Sequence, residues 1–313
     1  FLLFIVISFF KIQIWYKSAY IFYIIVLTLL FAVDSFGITA SGSKRWISLF
    51  FINLQPSELM KVALIIFLAR YYNKIPLQNV NSIKNIFVPF LSFLIPMGLV
   101  VAQPDLGTAV LIAASGLIVI WLTGFRIKYF LYSLVVLVAL VPVGISFLKP
   151  YQKSRILTFF NPERDPLGAG YQIIQSKIAV GSGGLFGKGF LKGTQSYLEF
   201  LPEKHTDFIF TLFSEEHGFI GSLFLLLIYA VMIYRIIKIG SSTRSFFGKL
   251  FCYGFGSAIF VYITVNMSMV LGLLPIVGSP LPIMSYGGSS MLATMIGLSI
   301  VMSAKIHKRQ TVS

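Results

Sequence analysis

Apolar runs about as long as a bilayer is thick recur along the whole chain, and no other feature limits its fold as strongly. Nine segments read as spans, roughly 1–10, 18–36, 56–72, 86–103, 107–124, 129–148, 208–234, 250–271 and 289–304. About 20 consecutive apolar residues cross the hydrocarbon core as a helix. Lipid offers no partners to open backbone groups, so such a chain must be an all-α polytopic membrane protein. Composition agrees: of 313 residues, 57% are apolar and 11% charged, whereas soluble domains carry about 25% charged residues. A soluble protein with unusually greasy core helices does not account for so many spans. The chain opens without Met inside an apolar run, so its native start is expected to lie upstream. It shows no cleavable signal-peptide pattern. The single cysteine, Cys252, lies inside an apolar run and rules out a disulfide framework.

Short-loop cations set the expected orientation. Lys11, Lys17, Arg70, Lys74, Lys84, Arg126, Lys128, Arg235, Lys238, Arg244, Lys249, Lys305, Lys308 and Arg309 fall in alternate connections, which are expected to be cytoplasmic. All ten Asp and Glu then fall on the outer side or inside the membrane. The sequence pI near 9.8 follows from this basic inner surface. It is a topology and anionic-lipid signal and calls for no nucleic-acid partner. The mixed-sign outer side is where a site can be built.

Four outer connections carry candidates. In the first, 37–55, glycines and small residues predict an irregular loop holding Lys44, Arg45 and Trp46. Gln55-Pro56-Ser57-Glu58 then opens a helix, with Pro56 suited to its first position and Glu58 to the positive end of its dipole. Glu58 and Lys61 are three apart and share a face. At that depth they form either a site or a self-satisfied structural pair. Gln103-Pro104-Asp105 repeats the device, and Asp105 is an expected partner for Lys61 or Arg45. The long connection 149–207 holds Pro162, Pro166 and eight glycines between 168 and 193, which predict turns and close backbone approach. Within it, 171–180 reads as a short amphipathic helix on the membrane. The run GSGGLFGKG lacks the GK[ST] of a nucleotide loop, leaving an anion-binding backbone or a plain flexible loop. The last connection, 272–288, is apolar but irregular, so it must line a cavity or pack inside protein.

The chemistry is expected at the end of the long loop, in Glu199–Gly221, where eight residues are charged or His. Thr206 can cap the helix that follows, which places Asp207 in its first turn at the aqueous edge. Glu215 is eight residues on, roughly 12 Å along a helix axis. The two cannot share a proton, so this is a single-carboxylate site and not a paired-acid hydrolase. Glu215 and Glu216 suit helix packing or a polar seam. His205, His217 and His307 lack metal-cluster spacing, and no serine nucleophile motif is present.

RWI with QPSELMK, then QPDLGTAV, then GTQSYLEFLPEKHTDFIF with SEEHGFIG, and finally PIMSYGGSS resemble, in order, the SEDS family (shape, elongation, division and sporulation). The wording of the third signature is more similar to the RodA branch than to the FtsW division branch. The match runs from about residue 16 to 305 and treats 1–313 as one integral membrane domain containing the 149–207 loop. The family has ten spans, so the first and part of the second are expected to be missing here. The resemblance implies a peptidoglycan glycosyltransferase that polymerises lipid II at the outer face of the bacterial cytoplasmic membrane during elongation. It implies a class B penicillin-binding protein as partner. The family's essential acid falls on Asp207, and its signature Trp falls on Trp46. One carboxylate suffices to take the proton of an acceptor sugar hydroxyl, and cations must take up the departing diphosphate. The expected substrate-binding set is Lys44, Arg45, Trp46, Glu58, Lys61, Asp105, Arg155, Lys204, His205, Thr206 and Ser285. Mg or Mn could share the cation role, although the sequence shows no dedicated ligand cluster. The competing readings are a lipid II flippase and a non-catalytic scaffold for the penicillin-binding protein.

Overall fold

The computed structural model describes residues 2–40, 43–49, 52–132, 135, 139, 150–165, 168–193 and 205–311, and it is mostly helical. Ile12–Phe36, Lys84–Ala102, Ile209–Ser242, Phe246–Val270 and Gly288–Ile306 are long and apolar enough to cross a membrane, and Leu106–Leu122 is a shorter apolar helix. The expected segment 56–72 forms helix Pro56–Asn73, and 1–10 contributes Leu2–Ser8. Most of the expected segment 129–148 lies outside the described residues. The chain divides into two compact units: residues 1–125, 230–262 and 286–313, and residues 126–229 and 263–285.

In the first unit, helix Ile12–Phe36 buries Tyr16, Ala19, Tyr23, Val26, Leu30 and Val33, a three-and-four spacing that lines up one stripe. That stripe packs on helix Pro56–Asn73, which also packs against Leu106–Leu122 and Gly288–Ile306. Helix Pro56–Asn73 is therefore enclosed on every side, with each residue from Pro56 to Ile66 buried. Close helix approach relies on small residues, as is usual in membranes. A Cβ added at Gly254 would press on Val119, and one at Gly297 would collide with the Phe255 ring.

Helix Ile83–Ala102 carries Pro89 and Pro96 in its interior. Pro96 has no N–H to give to the carbonyl one turn back, that of Ser92. The Tyr23 hydroxyl takes that carbonyl instead, at 2.6 Å and fully buried. Re-satisfying the freed carbonyl is what allows a proline at this depth.

The first connection corrects an expectation. Its small residues predict irregular chain, but Ile38–Ala40, Ser43–Leu49 and Ile52–Leu54 form an antiparallel sheet in the order β1-β2-β3. Ile38 pairs with Trp46 and Ile47 with Leu54. β-branched and aromatic residues at these positions outweigh the glycines around them.

In the second unit, the long connection is more regular than its composition suggests. It forms helices Pro150–Phe160 and Ala169–Ser182, with a short 3-10 turn at Pro162–Arg164. The expected 171–180 helix lies within Ala169–Ser182 and is pinned by Ser176. That hydroxyl hydrogen-bonds to Thr211 Oγ1 and donates to the Val270 carbonyl, each at 2.8 Å.

The glycine run is neither a flexible loop nor an open anion nest. Helix Ile209–Ser242 breaks at Gly218, where φ is 64° and ψ is −163°. The amides of Lys188 and Gly189 donate to the Glu215 and Glu216 carbonyls at 3.0 Å. In return, Phe219 and Ile220 donate to the Gly184 and Leu185 carbonyls, at 2.9 and 3.1 Å. The loop thus completes the hydrogen bonds that the helix break leaves open. The approach is close enough that a Cβ at Gly187 would run into the Glu216 carbonyl, and one at Gly218 into the Gly187 amide.

Candidate active site

Asp207 lies in the turn 205–208, just ahead of helix Ile209–Ser242. Sequence alone places it inside the first helical turn, with Thr206 as cap. In the structure the helix begins two residues later, and the Thr206 main chain is engaged by another segment. Two side chains hold this turn by its carbonyls. Asn266 is wholly buried. Its amide donates to the Asp207 carbonyl at 2.9 Å and to the Ser279 carbonyl at 2.6 Å. Ser285 Oγ donates to the Thr206 carbonyl and accepts from the Leu281 amide, both at 2.7 Å.

The apolar connection 272–288 is thereby fastened to the Asp207 turn. Gly278 has φ +68°, and a Cβ built there would stand 3.4 Å from Asp207 Oδ2, so the carboxylate lies against bare backbone. Ile283 also has a left-handed φ of 70°. That is strained for a β-branched residue, and it persists only where surrounding bonds fix it. Here the turn is closed by Ser285, whose amide donates to the Leu281 carbonyl at 3.0 Å, and by the Tyr229 hydroxyl, which donates to the Pro282 carbonyl at 2.7 Å. The turn is therefore fixed through main-chain bonds, while the Asp207 side chain remains half-buried.

The other expected residues distribute as follows. In the second unit, exposed Arg155 donates through Nη1 to the Ile276 carbonyl at 3.2 Å, on the same connection that carries Gly278. His205 is exposed in the Asp207 turn. Lys204 lies outside the described residues. Glu215 is fully buried, and Lys188 Nζ reaches it at 2.7 Å, which makes this pair a support of the helix break.

The first unit holds the rest. Lys61 and Glu58 form a buried pair at 2.8 Å, with the Lys61 ammonium also 4.6 Å from the Tyr262 ring centroid. The Tyr262 hydroxyl hydrogen-bonds to Ser115 at 2.8 Å. Of the two cations expected for Asp105, it is Arg45 that pairs with it, at 3.4 Å. Arg45 Nη2 also donates to the Pro104 carbonyl at 2.6 Å. Asp105 is the cap of helix Leu106–Leu122 rather than part of its first turn, accepting from the Thr108 amide at 3.1 Å and hydroxyl at 2.9 Å. Lys44 donates to the Asp34 carbonyl at 2.8 Å. Trp46 is half-buried on the central strand. Among the described residues, no three His, Cys, Asp or Glu side chains come together to hold a metal ion.

Sequence reasoning missed Asn266. The available signal was a lone amide side chain inside an apolar helix, which in a membrane must find partners. Gly278 was also missed, because its role depends on which carboxylate folds back over it.

The chain matches the model of the FtsW/RodA/SpoVE family, described as cell cycle proteins, over residues 1–310. It is 46% identical over 288 residues to the peptidoglycan glycosyltransferase MrdB of Escherichia coli (strain K12), covering 92% of this chain and 77% of that protein. It is 37% identical over 290 residues to the stage V sporulation protein E of Bacillus subtilis (strain 168), covering 92% and 77%. Among solved structures, it resembles a chain of a peptidoglycan synthase complex that coordinates polymerization and crosslinking. The TM-score is 0.84 at 33% identity, over 99% of this chain and 87% of that one. The rod shape determining protein RodA of Thermus thermophilus superposes with a TM-score of 0.72 at 26% identity, over 99% and 84%. A family match along nearly the whole length, joined to a shared fold, places this multi-pass membrane chain in the FtsW/RodA/SpoVE family.

Proposed function

We propose that this chain polymerises lipid II into glycan strands at the outer face of the cytoplasmic membrane, with Asp207 as the base. The chain is a peptidoglycan glycosyltransferase, as its relatives are named. The observation that carries the role of Asp207 is its placement: a half-buried carboxylate on a turn whose two main-chain carbonyls are bonded by Asn266 and Ser285.

The carboxylate accepts the proton of the acceptor sugar hydroxyl as that oxygen attacks the donor's anomeric carbon. The bond to the diphosphate breaks, and polyprenyl diphosphate leaves with its own charge. A positioned base of this kind contributes about 10²–10⁴-fold. The leaving group needs no proton but does need positive charge. Arg155 is a described cation bonded to the connection that carries Gly278. Lys204 and His205 border Asp207 in sequence. Arg45 and Lys61 each stand beside a carboxylate, so their role is to orient the substrate-facing elements rather than to meet the diphosphate as bare charges. A class B penicillin-binding protein crosslinks the product.

Reconstitution with purified lipid II and that partner tests the reading. The native chain should yield glycan strands, and Asp207→Ala none, with its melting midpoint kept. Equal polymer from both would end the base assignment and favour a scaffold. Movement of lipid II across the bilayer without polymer would favour a flippase.

A further inference from the structure

The loop Gly183–Lys192 combines features that do not suit water. Leu185, Phe186, Phe190 and Leu191 are 62%, 80%, 73% and 71% exposed. Four large apolar side chains so open in a stretch this short would form a costly patch in solvent. They are not isolated from the membrane-facing surface of the same unit. The backbone pairing of Gly184 and Leu185 with Phe219 and Ile220 puts the loop beside the start of the apolar helix that follows the Gly218 break. Phe219 and Ile220 are themselves 62% and 51% exposed, and the helix they open is one of those apolar enough to cross a membrane.

Two further observations indicate what covers the patch. Irregular backbone is excluded from lipid unless its polar groups are satisfied within the protein. Here the Lys188 and Gly189 amides and the Gly184 and Leu185 carbonyls are all bonded to the broken helix. The Gly183, Gly184, Gly187 and Lys192 amides are bonded within the loop and the helix before it. Charge is handled as well: Lys188 reaches buried Glu215 at 2.7 Å, so its ammonium is neutralised. The remaining cation, Lys192, stands at the loop's end, where a long side chain can reach the headgroups.

From this we infer that Gly183–Leu191 is a bilayer-immersed anchor, with Leu185, Phe186, Phe190 and Leu191 in lipid at the level of Phe219 and Ile220. The occupant of the patch is the lipid acyl region, continuous with the lipid-facing side of helix Ile209–Ser242. The loop thereby ties the Gly218 break, and the short helical stretch leading back to Asp207, to the membrane surface.

The test uses the full chain in phosphatidylcholine–phosphatidylglycerol vesicles, with an environment-sensitive dye on Phe186→Cys and, as a reference, on Glu163→Cys. Glu163 is an exposed residue of the 3-10 turn, and native Cys252 is buried and should not label. The dye at 186 should emit to the blue of the dye at 163. It should be quenched by lipids spin-labelled on the acyl chain and spared by aqueous iodide, with the reverse at 163. Iodide quenching at 186 equal to that at 163 would overturn the anchor. So would a dye that reads water in the chain alone and becomes shielded only when a protein partner is added. If the cysteine variant does not fold, photolabelling of the native chain by an acyl-chain diazirine decides. Adducts are expected on the peptide containing 185–191, and their absence there would overturn the proposal.

Discussion

Glu58 and Asp207 are both acids near the start of an apolar helix, and the structure treats them in opposite ways. Glu58 is enclosed with Lys61 at 2.8 Å, on a helix buried on all sides. Its charge is balanced three residues away on its own helix. Asp207 is half-buried on a turn whose main-chain carbonyls are bonded by Asn266 and Ser285. A structural acid is neutralised and enclosed. For the base proposed at Asp207, fastening the turn through its main chain sets where the half-buried carboxylate stands.

The contrast can be broken or sharpened by substitution. The largest stability effect should come from Lys61→Met, which strands a buried carboxylate. Removing one partner of a buried pair typically costs about 3–5 kcal/mol. The double change Glu58→Gln with Lys61→Met should recover most of the loss, and thermal unfolding in vesicles reads both. A single variant as stable as the native chain would mean that the pair is not a structural unit.

Asn266→Ala comes next. It leaves the Asp207 and Ser279 carbonyls without their donor, at about 1–3 kcal/mol for each unsatisfied buried group. Because it loosens the turn, kcat should fall while KM changes little; a misplacement of an ångström can cost about 10²-fold in rate. An unchanged kcat in a destabilised variant would reduce Asn266 to packing. Ser285→Ala removes the bond to the Thr206 carbonyl and the one from the Leu281 amide, and should act in the same direction, by roughly 1–2 kcal/mol. Tyr23→Phe is the control from the other region. It should lower the melting midpoint by a similar roughly 1 kcal/mol, through the Ser92 carbonyl left by Pro96, and leave kcat unaltered.

Much of the frame could be read from apolar run length alone. The expected 208–234, 250–271 and 289–304 fall, to within one residue, inside helices Ile209–Ser242, Phe246–Val270 and Gly288–Ile306, because a span must satisfy its own backbone over a fixed thickness. Local pairs such as Glu58 with Lys61 could also be read, since helical spacing alone brings them together. Contacts between segments distant in sequence could not. Asn266 meets Asp207 across 59 positions, and Ser285 meets Thr206 across 79. The glycine run looked featureless because its order comes from the break at Gly218, to which its amides bond. The β1-β2-β3 sheet was hidden by Gly37, Ser41 and Gly42 around its first strand.

The most direct measurement is the polymerisation rate on lipid II of Asp207→Asn, a change that preserves shape and removes only the basic oxygen, with the partner present and lipid II binding monitored in parallel. With Asp207 as the base, binding stays within a few-fold of native and the rate falls by about 10² or more. A rate within a few-fold of native, with folding and binding intact, would contradict it.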